Sequence, residues 1–372
     1  MPSRFRMIGG LLLSAALIIS ACGTEGPSPA PGQRESGEQP VPEQPAPAQP
    51  EPSGEYTVLA QNLRTPWAMD FHEETVYISE RGGHIVELHD GNMKRLPVQT
   101  ALPVTEVGEG GFLGLVLSPD YGDTKQAYAY HTYEQDGAIL NRVILLEQQE
   151  EQWAEVDALI ERIPGSQIHN GGRMALGPDN HLYIATGDAG DGALSQDEAN
   201  LAGKILRMSL SGEIPADNPL PDSYVYSLGH RNPQGLAWNA EGELFSTEHG
   251  PSGNPGGHDE INQIMPGANY GWPDVIGDEA MEGTIPPLYH TGETAIAPSG
   301  AAFDEQGLLV ASLRGQTLYR FDPEGGELEV VLDQEGRLRD VKVQDGRVYV
   351  LTNNTDGRGV PGEADDRLLL LP

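Results

Sequence analysis

His169, in the run Ile168-His169-Asn170-Gly171-Gly172-Arg173, and Asp188, in Thr186-Gly187-Asp188, flank one expected β-hairpin. In an antiparallel hairpin the start of the first strand and the end of the second share an edge, so the imidazole and the carboxylate can meet there. A carboxylate on one ring nitrogen fixes the tautomer and raises the basicity of the other, as a general base needs. Further polar residues fall at the same kind of edge. They are Glu109 (Gly108-Glu109-Gly110-Gly111-Phe112), Arg231 and Asn232 (Gly229-His230-Arg231-Asn232-Pro233), Gly250-Pro251, Arg314 (Ser312-Leu313-Arg314-Gly315), and Arg337 with Arg339 (Gly336-Arg337-Leu338-Arg339-Asp340). Four arginines at one mouth repel one another unless an anion sits among them, and arginine grips carboxylates through paired hydrogen bonds. The site therefore expects a multiply anionic ligand; the alternative is that each arginine pairs with a nearby acid such as Asp340 or Glu80.

A repeat must bring these edges together. Six apolar strands end in Ser or Thr: Val76 to Ser79, Tyr128 to Thr132, Leu182 to Thr186, Leu244 to Thr247, Leu308 to Ser312 and Val348 to Thr352. Their terminal residues are 53, 54, 61, 65 and 40 positions apart. Each follows a turn such as Gly177-Pro178-Asp179-Asn180 or Gln344-Asp345-Gly346, with another apolar strand before it. Repeats of this length, mostly strand, predict an all-β fold, a six-bladed β-propeller of four-stranded blades. A β-sandwich holds fewer such hairpins. Tyr56 to Leu59 and Leu368 to Leu371 are expected to share one blade and tie the ring shut.

Arg4 and Arg6 precede an apolar run from Met7 to Ile19 and then Ile19-Ser20-Ala21-Cys22, which reads as a lipoprotein signal over residues 1–21. Cys22 is the only cysteine, so no disulfide forms within the chain. Residues 22–54 hold nine prolines and no aromatic residue, a composition that cannot bury enough apolar surface to fold. They read as a tether below a folded domain of residues 55–372, placing the protein outside the cytoplasm, held to the membrane through an N-terminal lipid alone. A formal net charge of −34 argues against nucleic acid or an anionic membrane surface as a partner.

Beyond these patterns, Pro66-Trp67-Ala68, Gly108 to Gly114, His169 to Arg173, Gly187-Asp188, Leu201 to Arg207, Gly229 to Gly235, Glu248 to Pro251, Asp259 to Asn262, Asn269 to Pro273 and Arg337 to Val341 carry a resemblance through their order and number. The chain resembles the PQQ-dependent soluble glucose dehydrogenase and aldose sugar dehydrogenase family across nearly all of residues 56–371. That resemblance implies oxidation of an aldose at its C1 hydroxyl to a lactone, with a hydride passing to PQQ and an external electron acceptor following. By the same resemblance His169 is the base, Asp188 orients it, and Arg231 and Asn232 meet the quinone oxygens. Arg314, Arg337 and Arg339 would hold the PQQ carboxylates. One Ca2+ would take the carbonyls of Gly250 and Pro251, and a second would use Glu260 and the Tyr270 carbonyl. Two positions depart from the family's pattern: Glu109 stands where some members set a glutamine against PQQ, and Arg314 where some have lysine.

Two other readings fit a ring of this kind. A non-catalytic propeller would use the same mouth for a glycan or a protein, since fold alone does not fix function. A calcium-dependent lactonase would need side-chain carboxylates around its ion, where Gly250-Pro251 offers carbonyls.

Overall fold

Strands of four to seven residues joined by tight turns dominate the computed structural model, which describes residues 55–252 and 256–372. The expected signal, Cys22 and the tether lie outside the described residues. Helix among the described residues is limited to Tyr121–Thr124 and Ala193–Gln196. No helix among them is long and apolar enough to cross a membrane.

The strands form antiparallel meanders. Pro66–His72, Thr75–Glu80, His84–His89 and Asn92–Gln99 make the first; Phe112–Leu117, Gln126–Gln135, Ala138–Gln148 and Trp153–Pro164 make the second. The third is Met174–Leu176, Leu182–Thr186, Lys204–Met208 and Val225–Leu228, and the fourth Pro233–Trp238, Leu244–Glu248, Glu260–Ile264 and Tyr289–His290. Pro298–Phe303, Leu308–Ser312, Thr317–Phe321 and Leu328–Asp333 follow. The last meander, Leu338–Gln344, Arg347–Thr352 and Leu368–Leu371, takes its fourth strand from Thr57–Ala60, with Thr57 opposite Leu370 and Val58 opposite Leu369. The first and last described strands thus share one sheet, as the sequence implied.

Separate four-stranded sheets were the expectation, and one junction departs from it. The first two meanders are joined into an eight-stranded sheet by a short parallel pairing, Val98 with Trp153 and Gln99 with Ala154. The physical reason is that both segments are outer strands with open backbone edges, which take up hydrogen bonds from whatever edge lies beside them.

First strands of successive meanders touch in chain order, and Leu338–Gln344 of the last returns to Pro66–His72 of the first, giving the closed arrangement of a β-propeller. Between successive sheets lie the apolar layers. Met69, Ile78 and Val86 pack on Leu351 and Leu368; Phe245 and Ile261 pack on Leu308, Val310 and Phe321. Each such buried side chain contributes about 1.5–3 kcal/mol.

The terminal hydroxyls of the second strands have a job at the mouth. First strands change register there, between Pro66 and Ala68, Pro233 and Gly235, or Leu338 and Asp340. Such a bulge leaves backbone groups without ladder partners. Ser79 Oγ accepts from the Ala68 amide at 3.0 Å and donates to the Leu113 carbonyl of the next meander at 2.6 Å. Thr247 Oγ1 likewise reaches the Ser299 carbonyl at 2.6 Å. In these two places a short hydroxyl pins an irregular strand end to the next meander, and such ends carry the polar residues.

Candidate active site

His169 sits between Trp153–Pro164 and Met174–Leu176 with φ at +55°, the left-handed region. Its amide donates to Glu109 Oε2 at 2.8 Å. Directly across, Gly187 passes so close that a methyl group on it would lie 2.0 Å from the His169 carbonyl oxygen, so only glycine lets the two loops meet. That approach brings Asp188 Oδ1 to 2.7 Å from His169 Nδ1. Asp188 also accepts from the Gly190 amide at 2.7 Å and from Trp272 Nε1 at 2.9 Å. Burial pushes this carboxyl up, but the hydrogen bonds and charge of His169, with those of Gly190 and Trp272, outweigh it and hold the group below the usual carboxylate range. Nδ1 is committed to Asp188, and Nε2 has no hydrogen-bond partner among the described residues.

His169 lines a cleft of about 450 Å³ with Arg231, Gly250, Pro251, Arg314 and Arg337. A deeper cavity of about 30 Å³ shares Glu109, His249 and Arg358 with that cleft and holds Asn232 and Arg339. Sequence reasoning placed four arginines at one mouth; the structure puts three in the cleft and Arg339 beneath it. Their electrostatic states differ. Arg337 is paired with Asp356, Nη2 at 2.8 Å and Nε at 3.0 Å from the same carboxylate oxygen. Arg314 is exposed and makes no ion pair among the described residues. Arg231 gives its guanidinium only neutral acceptors, the His249 carbonyl at 3.2 Å and Ser252 Oγ at 3.3 Å, and lies over the Trp272 ring at 5.3 Å.

Arg339 is the unusual one. Its Nη1 reaches Gln234 Oε1 at 3.1 Å and Ser299 Oγ at 3.4 Å, while its buried Nε has no partner among the described residues. Burial, with Arg337, Arg81 and Arg173 nearby, pulls this guanidinium down to about 9 despite Asp356. The acids named in the sequence reading are taken elsewhere: Asp340 pairs with Arg173 at 3.0 Å and Glu80 with Arg95 at 2.7 Å.

Asn232 Oδ1 accepts from the Gly171 amide at 3.1 Å and from Gln234 at 3.3 Å, so this side chain also braces the His169 loop. Both Glu109 oxygens are engaged, one by the His169 amide and the other by Arg358 at 2.9 Å. Burial pushes the Glu109 carboxyl up; the His169 amide, His249 and Arg358 bring it below its ordinary value.

Gly250 and Pro251 form one wall, and the Gly250 amide donates to Asp259 Oδ1 at 2.8 Å. A methyl group on Gly250 would lie 2.1 Å from the Gly257 carbonyl oxygen and 2.4 Å from that of His258, so carbonyl oxygens crowd this turn. Glu260 lies behind it in a recess with Glu248, opposite which it pairs across the strands. Burial first, then the Glu248 charge, pushes the Glu260 carboxyl well up. Tyr270 does not line the cleft: its ring stacks on His230 at 4.8 Å and its hydroxyl donates to the Gln263 carbonyl at 2.6 Å. Among the described residues no three His, Cys, Asp or Glu side chains converge as a metal cluster.

Several participants escaped the sequence reading. Trp272 lay in a quoted segment without a role, and His249 lay beside Gly250; its Nε2 is buried without a partner, and burial pushes the imidazole down toward the neutral form. Asp356 and Arg358 belong to a strandless run after Thr352, where only their opposite charges signal anything.

Comparison with known proteins bears on the family. The family model described as Glucose / Sorbosone dehydrogenase matches residues 63–368. Quinoprotein glucose dehydrogenase B of Acinetobacter calcoaceticus is 33% identical over 258 residues, 59% of this chain and about half (52%) of that protein's length. An aldose sugar dehydrogenase of Escherichia coli (strain K12) is 28% identical over 339 residues, 81% of this chain and 90% of the relative. The structure of the PQQ-bound form of aldose sugar dehydrogenase from Streptomyces coelicolor superposes with a TM-score of 0.79 at 38% identity, covering 87% of this chain and 99% of that one. The matched span takes in His169, Asp188, the arginines and the ring that carries them, and on that span this chain belongs to the glucose/sorbosone dehydrogenase family.

Proposed function

We propose that this protein oxidises the C1 hydroxyl of an aldose to a lactone, with PQQ and Ca2+ as cofactors and an external electron acceptor. The observation that carries the reading is the His169–Asp188 pair, 2.7 Å apart, at a cleft above a cavity lined by a buried guanidinium that makes no ion pair among the described residues. Arg339, with its unpartnered Nε, and exposed Arg314 suit a carboxylate-bearing quinone, and the unpartnered Nε2 of His249 adds a polar atom in the same cavity. PQQ, when bound, supplies the two-electron acceptor for the hydride that leaves the sugar carbon.

The chain's own residues do the rest. His169 Nε2 takes the hydroxyl proton, Asp188 stabilises the imidazolium that results, and Trp272 and Gly190 keep Asp188 ionised and in place. Arg231 and Asn232 would hold the quinone oxygens of PQQ, and Arg314, Arg337 and Arg339 its carboxylates. Ca2+ prefers oxygen ligands, and the crowded carbonyls around Gly250 and Pro251 suit it, with Glu260 and the Tyr270 carbonyl as the second set.

Six blades form the ring in this reading, the eight-stranded sheet counting as two, which the cyclic contact of first strands supports. Cys22 carries the lipid that holds the protein outside the cytoplasm. Detergent-phase partitioning tests the anchor: Cys22→Ser should move the protein to the aqueous phase or block processing, and an unchanged anchored product refutes it.

The central test mixes the protein with PQQ and calcium and follows dye-linked oxidation of a panel of mono- and disaccharides. Turnover with at least one aldose is expected; PQQ binding with no turnover on any of them would overturn the proposal.

A further inference from the structure

The strandless run after Thr352 reaches back to the first half of the chain. Arg358 Nη1 lies 2.9 Å from Glu109 Oε1, across 249 residues of sequence, and Glu109 Oε2 holds the His169 amide at 2.8 Å. His169 needs such a hold. A non-glycine residue at φ +55° is strained, and the position persists only if its surroundings impose it. The Ala189 amide, donating to the His169 carbonyl at 3.2 Å, grips the other side of the same residue.

We propose that Glu109 and Arg358 are a positioning pair for His169: Glu109 clamps its backbone so that Nε2 faces the cleft, and Arg358 holds Glu109 and offsets its charge. This rests on the reading of His169 as the base. Neither residue needs to touch substrate or cofactor for the role. Of the other charged and titratable groups around the imidazole, Asp188 faces it from the third meander, and Arg231 and His249 from the fourth. Across the cleft stand Arg337, Arg314, Asp259 and Glu293. Glu109 also acts through its charge on the buried His249, so the variants are compared at the His169 amide itself.

Arg358→Gln removes the cation from Glu109, Arg358→Lys keeps one, and Glu109→Gln keeps an oxygen for the His169 amide without the ion pair. Hydrogen exchange of the His169 amide, followed by NMR in the cofactor-free, full-length protein, reads the clamp. Exchange should quicken about 10-fold in Arg358→Gln and in Glu109→Gln, with Arg358→Lys restoring the parental rate. In the loaded enzyme Arg358→Gln should lower kcat by about 3–10-fold and leave the KM for sugar unchanged, and Arg358→Lys should recover the loss. The Arg358 side chain is 55% exposed, so its variants fold; if Glu109→Gln does not, Arg358→Gln against Arg358→Lys decides alone. An Arg358→Gln protein with parental exchange, or one whose loss Arg358→Lys does not recover, would overturn the pair. Failure of the base reading looks different: His169→Gln would then turn over sugar normally, whatever the exchange rates do.

Discussion

The two walls of the cleft are finished to different degrees. On the base wall every polar atom of Asp188 is engaged, by His169, Gly190 and Trp272, and Glu109 is engaged on both oxygens. On the arginine wall, among the described residues, Arg339 is buried with an unpartnered Nε and Arg314 makes no ion pair, although Arg337 has Asp356. A wall that satisfies itself is preorganised for chemistry. One that leaves cationic groups unsatisfied is completed by what binds there. Damage to the first should therefore appear in turnover and damage to the second in cofactor affinity.

The largest expected effect breaks the first wall alone. His169→Gln should lower kcat by about 10²–10⁴-fold with PQQ binding retained, since a positioned base is worth that much. Asp188→Asn should cost less, and the double variant should not multiply the two losses, because both act through one imidazole. Steady-state kinetics at saturating PQQ and calcium check this; near-parental turnover in His169→Gln would make it a structural histidine.

How far this contrast was legible in the sequence depends on what positions each residue. His169 and Asp188 were found because the hairpin between them, Met174–Leu176 with Leu182–Thr186, is regular and its ends must meet. Arg337 and Arg339 were read as part of one cluster because both come at the start of one first strand. The register shift between Leu338 and Asp340 separates them, sending Arg337 to Asp356 and Arg339 below the cleft. No composition rule announces a bulge. Asp356 and Arg358 were invisible for a related reason: an irregular run has no period from which to infer its neighbours. The parallel joint at Val98 and Trp153, only two residue pairs long, leaves no sequence signature either.

That separation sharpens the second prediction. Losing both Arg337 and Arg339 to alanine should weaken PQQ binding at roughly 1.5–3 kcal/mol per contact. Arg339→Ala should account for more of it, because Arg337 is already neutralised by Asp356. Replacing Arg339 by methionine removes a buried charge that makes no ion pair among the described residues, so the cofactor-free protein should melt about 2–4 °C higher while binding PQQ more weakly. Titration of intrinsic fluorescence with PQQ, beside a melting curve, reads both. A variant that loses stability and keeps its affinity would return Arg339 to a structural role.

Calcium should act on the Gly250–Pro251 side without touching the base wall. A ligand bound only by the folded state stabilises it by mass action, about 2.7 kcal/mol at 100 times its dissociation constant. Adding calcium should raise the melting temperature and tighten PQQ binding, and chelation should reverse both. A melting temperature indifferent to calcium would contradict the carbonyl assignment.

The smallest effect concerns the acid limb of stability, and it compares Asp188 with its own amide. In the folded protein Asp188 is held below its ordinary value, whereas in the unfolded chain it titrates near 3.9. A group depressed on folding contributes stability that is fully present above the unfolded value and is lost as pH falls through the folded one. Asp188→Asn cannot titrate, so it lacks that contribution at every pH. Urea midpoints of the parent should therefore exceed those of Asp188→Asn at neutral pH by a margin that stays constant down to about pH 4 and narrows below it. His169 is the group that most strongly favours the ionised carboxylate, so the same narrowing should shrink in a His169→Gln background, where that hydrogen bond and charge are gone. A margin that widens in acid would mean that burial, and not the His169, Gly190 and Trp272 contacts, governs Asp188, and the base wall would then not be the self-satisfied one.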